Sequence, residues 1–159
     1  MTSPAPALPL AGVTVLDVSR MLPGAVLARS LVDLGARVIK IEDPRSGDLM
    51  RLAPPLVGGI GVGFCVYYRG TESVGLDLRD PDGAAALRLL AGRADVLIES
   101  FRPGTMERYG LATSALRAAN PRLVVCSLPG FLGNAEVGHD LNFTALTGFL
   151  REVTPQGIP

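Results

Sequence analysis

The stretch VTVLDVSRMLPGAVLARSLVDLGARVIKI, residues 13–41, predicts a strand, a helix and a second strand in succession. Val13–Val18 and Val38–Ile41 are apolar runs of strand length. Between them, Gly24–Leu34 has the composition of a helix, and Gly35 suits its C-terminal cap. Two apolar strands joined by a helix are typical of parallel pairing, with the helix covering one face of the sheet.

The same alternation continues along the chain and defines the fold class. Asp80 suits a helix N-cap and Pro81 the first helical position, so a helix is predicted to about Ala91. Further strands are predicted at 74–78, 95–99 and 123–128, and further helices at 114–119 and 141–150. These elements predict a Rossmann-like α/β fold, an open, mainly parallel sheet with helices on both faces and right-handed crossovers. Such sheets bind ligands at the carboxyl ends of their strands.

Composition limits the function classes that remain. The chain has 159 residues, of which 48% are apolar and 19% charged, as expected of a globular domain. We expect that domain to span residues 10–159, after a flexible arm at 1–9. The formal net charge of zero argues against nucleic acid and anionic membranes as partners. Since there is no signal-peptide pattern and no apolar run of transmembrane length, we expect a cytoplasmic protein.

The cysteines and glycines argue against two kinds of bound group. Cys65 and Cys126 lie in apolar runs and are expected to be buried thiols, and with one histidine they give no metal site. Gly24 alone follows the first strand, so the G-x-G-x-x-G fingerprint of an NAD-binding oxidoreductase is missing. The segment GGIGVG, Gly58–Gly63, lacks the G-K-[ST] ending of a phosphate-binding loop and is expected to be a flexible connection.

The fourth strand ends in the most informative segment, ESFRPGTMERYGL, residues 99–111. Its Arg-Pro-Gly sequence predicts a tight turn that holds Phe101 and Arg102 at the ligand-binding end of the sheet, with Arg108 one or two helical turns later. Two arginines and an aromatic ring can grip a phosphate-bearing nucleotide. A surface turn with solvated arginines accounts for the same residues equally well.

The segment GHDLNF, residues 138–143, contains the only histidine of the chain. His139 lies at the start of a predicted helix, and Asp140 follows it. The residues alone leave two interpretations open, a catalytic base and an ordinary helix start.

Five segments, in this order and spacing, resemble the N-terminal part of the family III CoA-transferases, the CaiB/BaiF-type superfamily that includes α-methylacyl-CoA racemase. They are PGAVLARSLVDLGARVIKIEDP (23–44), SVGLDLRD (73–80), ADVLIESFRPGTMERYGL (94–111), NPRLVVCSLPGF (120–131) and GHDLNFTALTGFL (138–150). The resemblance runs from Leu10 to about Leu150. It implies that the domain binds acyl-CoA thioesters as substrates, without a permanently bound cofactor.

The resemblance also implies roles for individual residues. The adenine end of CoA is expected to contact Leu76, Leu78 and Arg79, and the nucleotide and its phosphates are expected to contact Phe101, Arg102 and Arg108. In the racemase branch, the histidine at the position of His139 removes the weakly acidic α-proton of the acyl-CoA. A helix N-terminus keeps such a histidine neutral and offers N–H groups to the enolate oxygen. Asp140 either orients His139 or serves as the helix N-cap.

The resemblance fails at one important position. Family members are much longer, continue into a second domain, and form dimers of interlinked chains. Their catalytic aspartate follows the segment that ends here at Pro159. We therefore expect one of two functions: a fragment or one half of a split transferase or racemase, whose aspartate a second polypeptide supplies, or a non-catalytic CoA-binding or interaction module. As its partner we expect a second copy of the chain, in a homodimer, or that complementing polypeptide. In both cases we expect negligible transferase turnover from this chain alone.

Overall fold

The computed structural model describes residues 7–132, 136 and 138–150. The chain divides into two compact units, residues 1–128 and 129–159, and each is described by itself. The strands are β1 (Thr14–Asp17), β2 (Arg37–Glu42), β3 (Leu56–Val57), β4 (Ile60–Gly61), β5 (Glu72–Gly75), β6 (Val96–Glu99) and β7 (Val124–Ser127). The α-helices are α1 (Met21–Asp33), α2 (Val62–Tyr67), α3 (Pro81–Ala91), α4 (Thr105–Arg108), α5 (Thr113–Ala119) and α6 (Asp140–Leu146), and a short 3-10 helix spans Leu49–Arg51.

The first unit is built on a five-stranded sheet in the order β5-β2-β1-β6-β7, and every neighbouring pair in it is parallel. The chain fills the sheet outward from β1 on one side, through β2 and β5. It then returns to the other side of β1 with β6 and β7. The predicted Rossmann-like fold is therefore confirmed, and the strand order reverses between β1 and β6, where such sheets form a ligand-binding crevice.

Both faces of the sheet are buried under helices, as the apolar strands predict. Alternate strand residues point to opposite faces, so Leu16 packs in one core cluster and its neighbour Val15 in the other. The first cluster includes Leu87 of α3 and Leu116 of α5, and the second includes Ala28 of α1. The predicted start of α3 is confirmed in detail, because the Asp80 carboxylate accepts a hydrogen bond of 2.8 Å from the backbone N–H of Asp82.

The third strand was predicted too far toward the C-terminus of the chain. It was expected at 74–78, but β5 covers Glu72–Gly75 and the last ladder bond runs from Leu76 N to the Glu42 carbonyl at 2.9 Å. The chain leaves the sheet at Asp77, whose carboxylate accepts from the backbone N–H of Arg79 at 3.1 Å. The apolar residues Leu76 and Leu78 therefore line a wall beside the strand end instead of pairing in the sheet.

The region around Gly58–Gly63 is more ordered than predicted. Gly58 and Gly59 have φ values of +58° and +82° and form the turn of an antiparallel β3–β4 hairpin, and α2 begins directly afterwards at Val62. The expected flexible connection is therefore wrong here. Cys65 lies exposed on α2, so its predicted burial is also wrong, whereas Cys126 is half-buried.

The remaining predicted elements are found with small shifts, and α1 begins at Met21, three residues before the predicted start. Of the predicted arm, residues 1–6 lie outside the described residues, and Leu8 accepts a hydrogen bond of 3.0 Å from Ala11 N. In the second unit, α6 ends at Leu146 and Gly148 follows with φ +78°. Among the described residues, no helix has both the length and the apolar character needed to cross a membrane.

Candidate functional site

A cavity of about 150 Å³ lies at the carboxyl ends of β1, β2 and β5, beside the chain that leaves β6. This is the crevice that the reversal of strand order predicts. Its lining combines charged, apolar and aromatic side chains from four segments: Val18–Arg20, Ile41–Asp43 with Ser46–Leu49, Leu76–Arg79, and Phe101 with Tyr109.

The cavity is supported by a buried lysine, Lys40, which is also the only lysine of the chain. Its ammonium group lies 3.4 Å from Oδ2 of Asp17 and 3.3 Å from Oδ2 of Asp48, and it donates to the backbone carbonyl of Ser19. The ammonium group therefore pairs with two buried carboxylates and one backbone carbonyl, which come from the end of β1 and from the segment before the 3-10 helix. Lys40 thereby joins β1, β2 and the segment before the 3-10 helix.

Neighbouring side chains fix this cluster. The Ser19 hydroxyl donates to Asp17 at 2.5 Å, and a Cβ at Gly24 would lie 1.6 Å from the same hydroxyl oxygen, so α1 can approach only through a glycine. The ring of Tyr68 lies 5.1 Å from the Lys40 ammonium nitrogen. Burial, together with the negative charges of Asp17 and Asp48, raises the pKa of the Tyr68 hydroxyl above its usual range, so it stays protonated.

Glu42 organises the next part of the lining. Its carboxylate accepts hydrogen bonds from Nε and Nη2 of Arg51 at 2.7 and 2.6 Å, from the Ser73 hydroxyl at 2.6 Å and from the backbone N–H of Asp48 at 2.8 Å. Burial alone would raise the pKa of Glu42, but these hydrogen bonds outweigh it and lower the pKa to about 2. Since the Arg51 guanidinium also lies 3.8 Å from the ring centre of Phe64, Glu42 ties the loop at 43–51 to β5 and α2.

The rim beside β2 and β5 carries two carboxylates and two guanidinium groups. Arg79 donates from Nε to Asp77 at 2.8 Å and from Nη2 to Asp43 at 2.7 Å. Arg45 donates to the same two acids at 3.2–3.3 Å. Each acid therefore contacts both arginines, and the four side chains form a charge-neutral ring, the rim ring.

The aromatic wall of the cavity comes from the segment after β6. The Glu99 carboxylate accepts from the backbone N–H of Phe101 at 2.8 Å and so fixes the direction in which the chain turns. The Phe101 ring meets Tyr109 edge-on, with centroids 6.2 Å apart, and the Arg20 guanidinium lies 5.5 Å from its centre. Arg20 is in turn held to this segment by a bond of 2.9 Å from its backbone N–H to the Ser100 hydroxyl.

The predicted tight turn is present, because Thr105 N donates to the Arg102 carbonyl at 3.1 Å and Gly104 has φ +80°. Four of the predicted CoA-binding residues line the cavity together: Leu76, Leu78, Arg79 and Phe101. The other two, Arg102 and Arg108, are exposed and do not belong to the lining. Arg108 donates to the Thr105 hydroxyl at 3.0 Å on its own helix.

His139 and Asp140 lie in the second unit. His139 is the exposed N-cap of α6, and its backbone N–H donates to Oδ1 of Asn142 at 3.0 Å. Asp140 is the first residue of the helix, so the N-cap position considered for Asp140 is wrong by one residue. The Asp140 carboxylate lies in the first helical turn, where the helix dipole favours negative charge.

The sequence prediction missed Arg20 in the cavity lining and the buried charge cluster of Asp17, Lys40 and Asp48 that adjoins the lining. Arg20 gave no signal, because it precedes the predicted helix without belonging to a motif. Asp17 and Lys40 gave a weak signal, because each is a charged residue inside an otherwise apolar strand. Such a residue is buried only when it is paired, so the pattern indicates a buried ion pair. Within the described part of the chain, no group of three or more His, Cys, Asp or Glu side chains is arranged to hold a metal ion.

Comparison with known proteins agrees with this architecture. The family model described as CoA-transferase family III matches residues 10–159. Human α-methylacyl-CoA racemase is 39% identical over 153 residues, which cover 93% of this chain and 36% of that protein. Succinate–glutarate CoA-transferase of Agrobacterium fabrum is 37% identical, with 89% of this chain and 38% of that protein covered.

A solved structure shows the same relationship. The crystal structure of a CaiB/BaiF family protein from Brucella suis matches with a TM-score of 0.83 at 36% identity, over 90% of this chain and 40% of that chain. The chain thus spans about two fifths of the length of these relatives. The family model, the two relatives and the shared fold all agree that the chain belongs to CoA-transferase family III.

Proposed function

We propose that this chain binds the nucleotide end of an acyl-CoA thioester in the strand-end cavity. The observation that carries the proposal is the cavity itself, at the point where strand order reverses, with Phe101, Leu76, Leu78 and Arg79 in one lining. Those four residues come from two strand ends that lie on opposite sides of β1 in the sheet.

The lining suits an adenine base attached to a charged chain. The apolar side chains of Leu76 and Leu78 and the face of Phe101 can sandwich a flat base, and base–aromatic stacking contributes about 1–3 kcal/mol. The cavity of about 150 Å³ is smaller than the roughly 300–1,000 Å³ of pockets that enclose whole drug-sized ligands. It therefore holds one end of CoA, and the rest of the molecule extends beyond the rim.

The arginines around the cavity are proposed to bind the phosphates of CoA. Arg20 is exposed beside Phe101, while Arg102 and Arg108 lie on the turn and helix that follow it. Guanidinium groups bind phosphate oxygens through paired N–H donors. We assign Arg20 to the ligand beside the base, and Arg102 and Arg108 to the phosphates that extend past Phe101.

Replacing Phe101 with alanine tests this site. We expect the dissociation constant for CoA to rise by about 5- to 150-fold, because the 1–3 kcal/mol of stacking is lost. Isothermal titration calorimetry on the whole chain measures it. Tyr67→Ala is the matched control, since Tyr67 is a half-buried aromatic residue packed in the core cluster on the other face of the sheet. Equal CoA affinity in Phe101→Ala and wild type contradicts the proposed site.

The chemical step belongs to the second unit, where His139 is proposed as the base that removes the α-proton of a 2-methylacyl-CoA. The His139 imidazole is exposed at the N-terminus of α6 and is therefore accessible to a thioester. The alternative reaction is CoA transfer between acyl groups, the reaction that the name of the Agrobacterium relative describes.

Proton exchange tests the role of His139. In deuterium oxide we expect deuterium at the α-carbon of a 2-methylacyl-CoA, and a 10²- to 10⁴-fold lower rate in His139→Ala, the usual contribution of a positioned base. Mass spectrometry of the recovered thioester gives the rate. Asp140→Asn is the neighbouring control and separates orientation of the histidine from helix stabilisation. CoA binding without exchange in the wild-type chain supports a non-catalytic CoA-binding module instead.

A further inference from the structure

The part of the rim ring that lines the cavity has two carboxylates and one guanidinium group, at the strand ends where a ligand's sugar is expected. Asp43 and Asp77 both line the cavity, directly after β2 and just past β5, and Arg79 lies between them. Arg45 completes the ring from outside the lining. The side chain of Asp43 is 19% exposed and that of Arg79 is 53% exposed, so the acid is the more enclosed of the pair.

Asp43 already holds the cation that a phosphate would need. Nη2 of Arg79 lies 2.7 Å from Asp43 and 3.0 Å from Asp77, and Nε lies 2.8 Å from Asp77. The backbone N–H and guanidinium of Arg45 also donate to Asp43 and lower the pKa of its carboxyl group. The acid is therefore charged at neutral pH, and an incoming anion has to compete with two carboxylates for the N–H donors of Arg79.

We propose that Asp43 is a specificity-determining residue that disfavours a phosphate group on the ribose of the bound adenine nucleotide. The proposal rests on the proposed function, because it assumes that CoA places its adenosine in this cavity. A carboxylate at the end of the second strand accepts a hydrogen bond from a free ribose hydroxyl, whereas a phosphorylated ribose is accommodated by an unpaired arginine. Built-in repulsion of the competing ligand is a general route to specificity.

The test compares CoA with dephospho-CoA, which differ only by the 3′-phosphate. For the wild-type chain we expect CoA to bind no more tightly than dephospho-CoA. In Asp43→Asn we expect the ratio of the two dissociation constants to shift by about tenfold in favour of CoA, because Nη2 of Arg79 loses one of its two carboxylate partners and one negative charge is removed. Asn keeps the shape of the side chain and its acceptor for the backbone N–H of Arg45.

Two further variants make the result specific. Asp33→Asn makes the same change in net charge on an exposed acid at the far end of α1, and we expect the ratio to stay unchanged. Arg79→Gln in the wild-type background should alter the ratio little, but in the Asp43→Asn background it should abolish the shift. Such a double-mutant cycle isolates the coupling between the two side chains.

Calorimetric titration of each variant with both ligands separates the outcomes. A shift in the ratio that is confined to Asp43→Asn and depends on Arg79 supports the proposal. A wild-type preference for CoA of more than tenfold, or equal changes for both ligands in Asp43→Asn, overturns it while leaving the binding site intact. If neither ligand binds saturably to the wild-type chain, the proposed function itself fails, and this inference fails with it.

Discussion

Lys40→Met is expected to lower the free energy of unfolding by about 3–5 kcal/mol, the usual effect of removing one partner from a buried charge cluster. The substitution leaves Asp17 and Asp48 with uncompensated charges, because the Oδ2 atom of each pairs with the ammonium group and has no hydrogen-bond partner among the described residues. Methionine matches the length and apolar stem of lysine, so the decrease in unfolding free energy measures the contribution of the ammonium group. Urea unfolding at neutral pH, followed by circular dichroism, measures the change.

Arg37→Met supplies the control on the same strand. Arg37 pairs with Glu72 at 2.7 Å, but both side chains are more than half exposed, and such surface pairs contribute about 0–1 kcal/mol. Lys40→Arg is not expected to restore stability, because a planar guanidinium cannot match three acceptors arranged around one nitrogen. A Lys40→Met chain as stable as Arg37→Met would show that the buried cluster contributes nothing to folding.

Glu42→Gln is expected to remove a large part of the acid sensitivity of the fold. The Glu42 pKa is about 2 in the folded chain and near 4.5 in its ordinary environment, which corresponds to on the order of 3 kcal/mol of stability. Because the folded pKa is the lower one, this contribution is fully present above about pH 4.5. It is lost as the pH falls from 4.5 toward 2.

The measurement is the unfolding free energy of wild type and Glu42→Gln at a series of pH values from 7 down to 2. The two chains should differ most at neutral pH and converge in acid, because protonated glutamic acid and glutamine have equal charge. Glu72→Gln is the control, since its carboxylate is exposed and its loss should change the curve little. A wild-type curve that stays parallel to that of Glu42→Gln throughout would argue against the Glu42 hydrogen-bond network.

Much of the fold could be predicted because its determinants are local. The α3 start follows from Asp80 and Pro81, whose cap geometry needs only neighbouring residues. The tight turn after β6 follows from Pro103 and Gly104 in the same way. Apolar strands separated by helices then leave a parallel sheet with two covered faces as the consistent arrangement.

Other features depend on contacts between distant segments, so local patterns could not reveal them. The third strand shifted because β5 pairs with β2 from Ile39 opposite Glu72 to Glu42 opposite Gly75, a register that depends on contacts with a distant segment. In the β3–β4 hairpin, the backbone at Gly61 passes so close to the Met50 carbonyl that a Cβ there would lie 2.1 Å from the oxygen. A repeating pattern of apolar residues does not predict such a contact. Met21 begins α1 with φ +63°, which is unusual for a residue with a side chain.

The candidate site divides in the same way. Phe101 could be assigned because it follows a predicted strand end directly, and Arg79 because its segment resembles that of the family. The buried cluster that supports the cavity could not be predicted, because Lys40, Asp48 and Ser19 come from three separate segments and meet only in the folded chain. The exposed positions of Arg102 and Arg108 also depend on how the turn after β6 is oriented, which residue types alone do not define.

The most direct test of the proposed CoA site is a crystal structure of the chain with bound CoA. We expect the adenine ring to lie in the strand-end cavity, stacked on Phe101 and in contact with Leu76 and Leu78, with the pantetheine chain leading away from the sheet. Clear density for the adenine at any other place on the chain, with the strand-end cavity filled only by solvent, would contradict the assignment of this cavity as the CoA site.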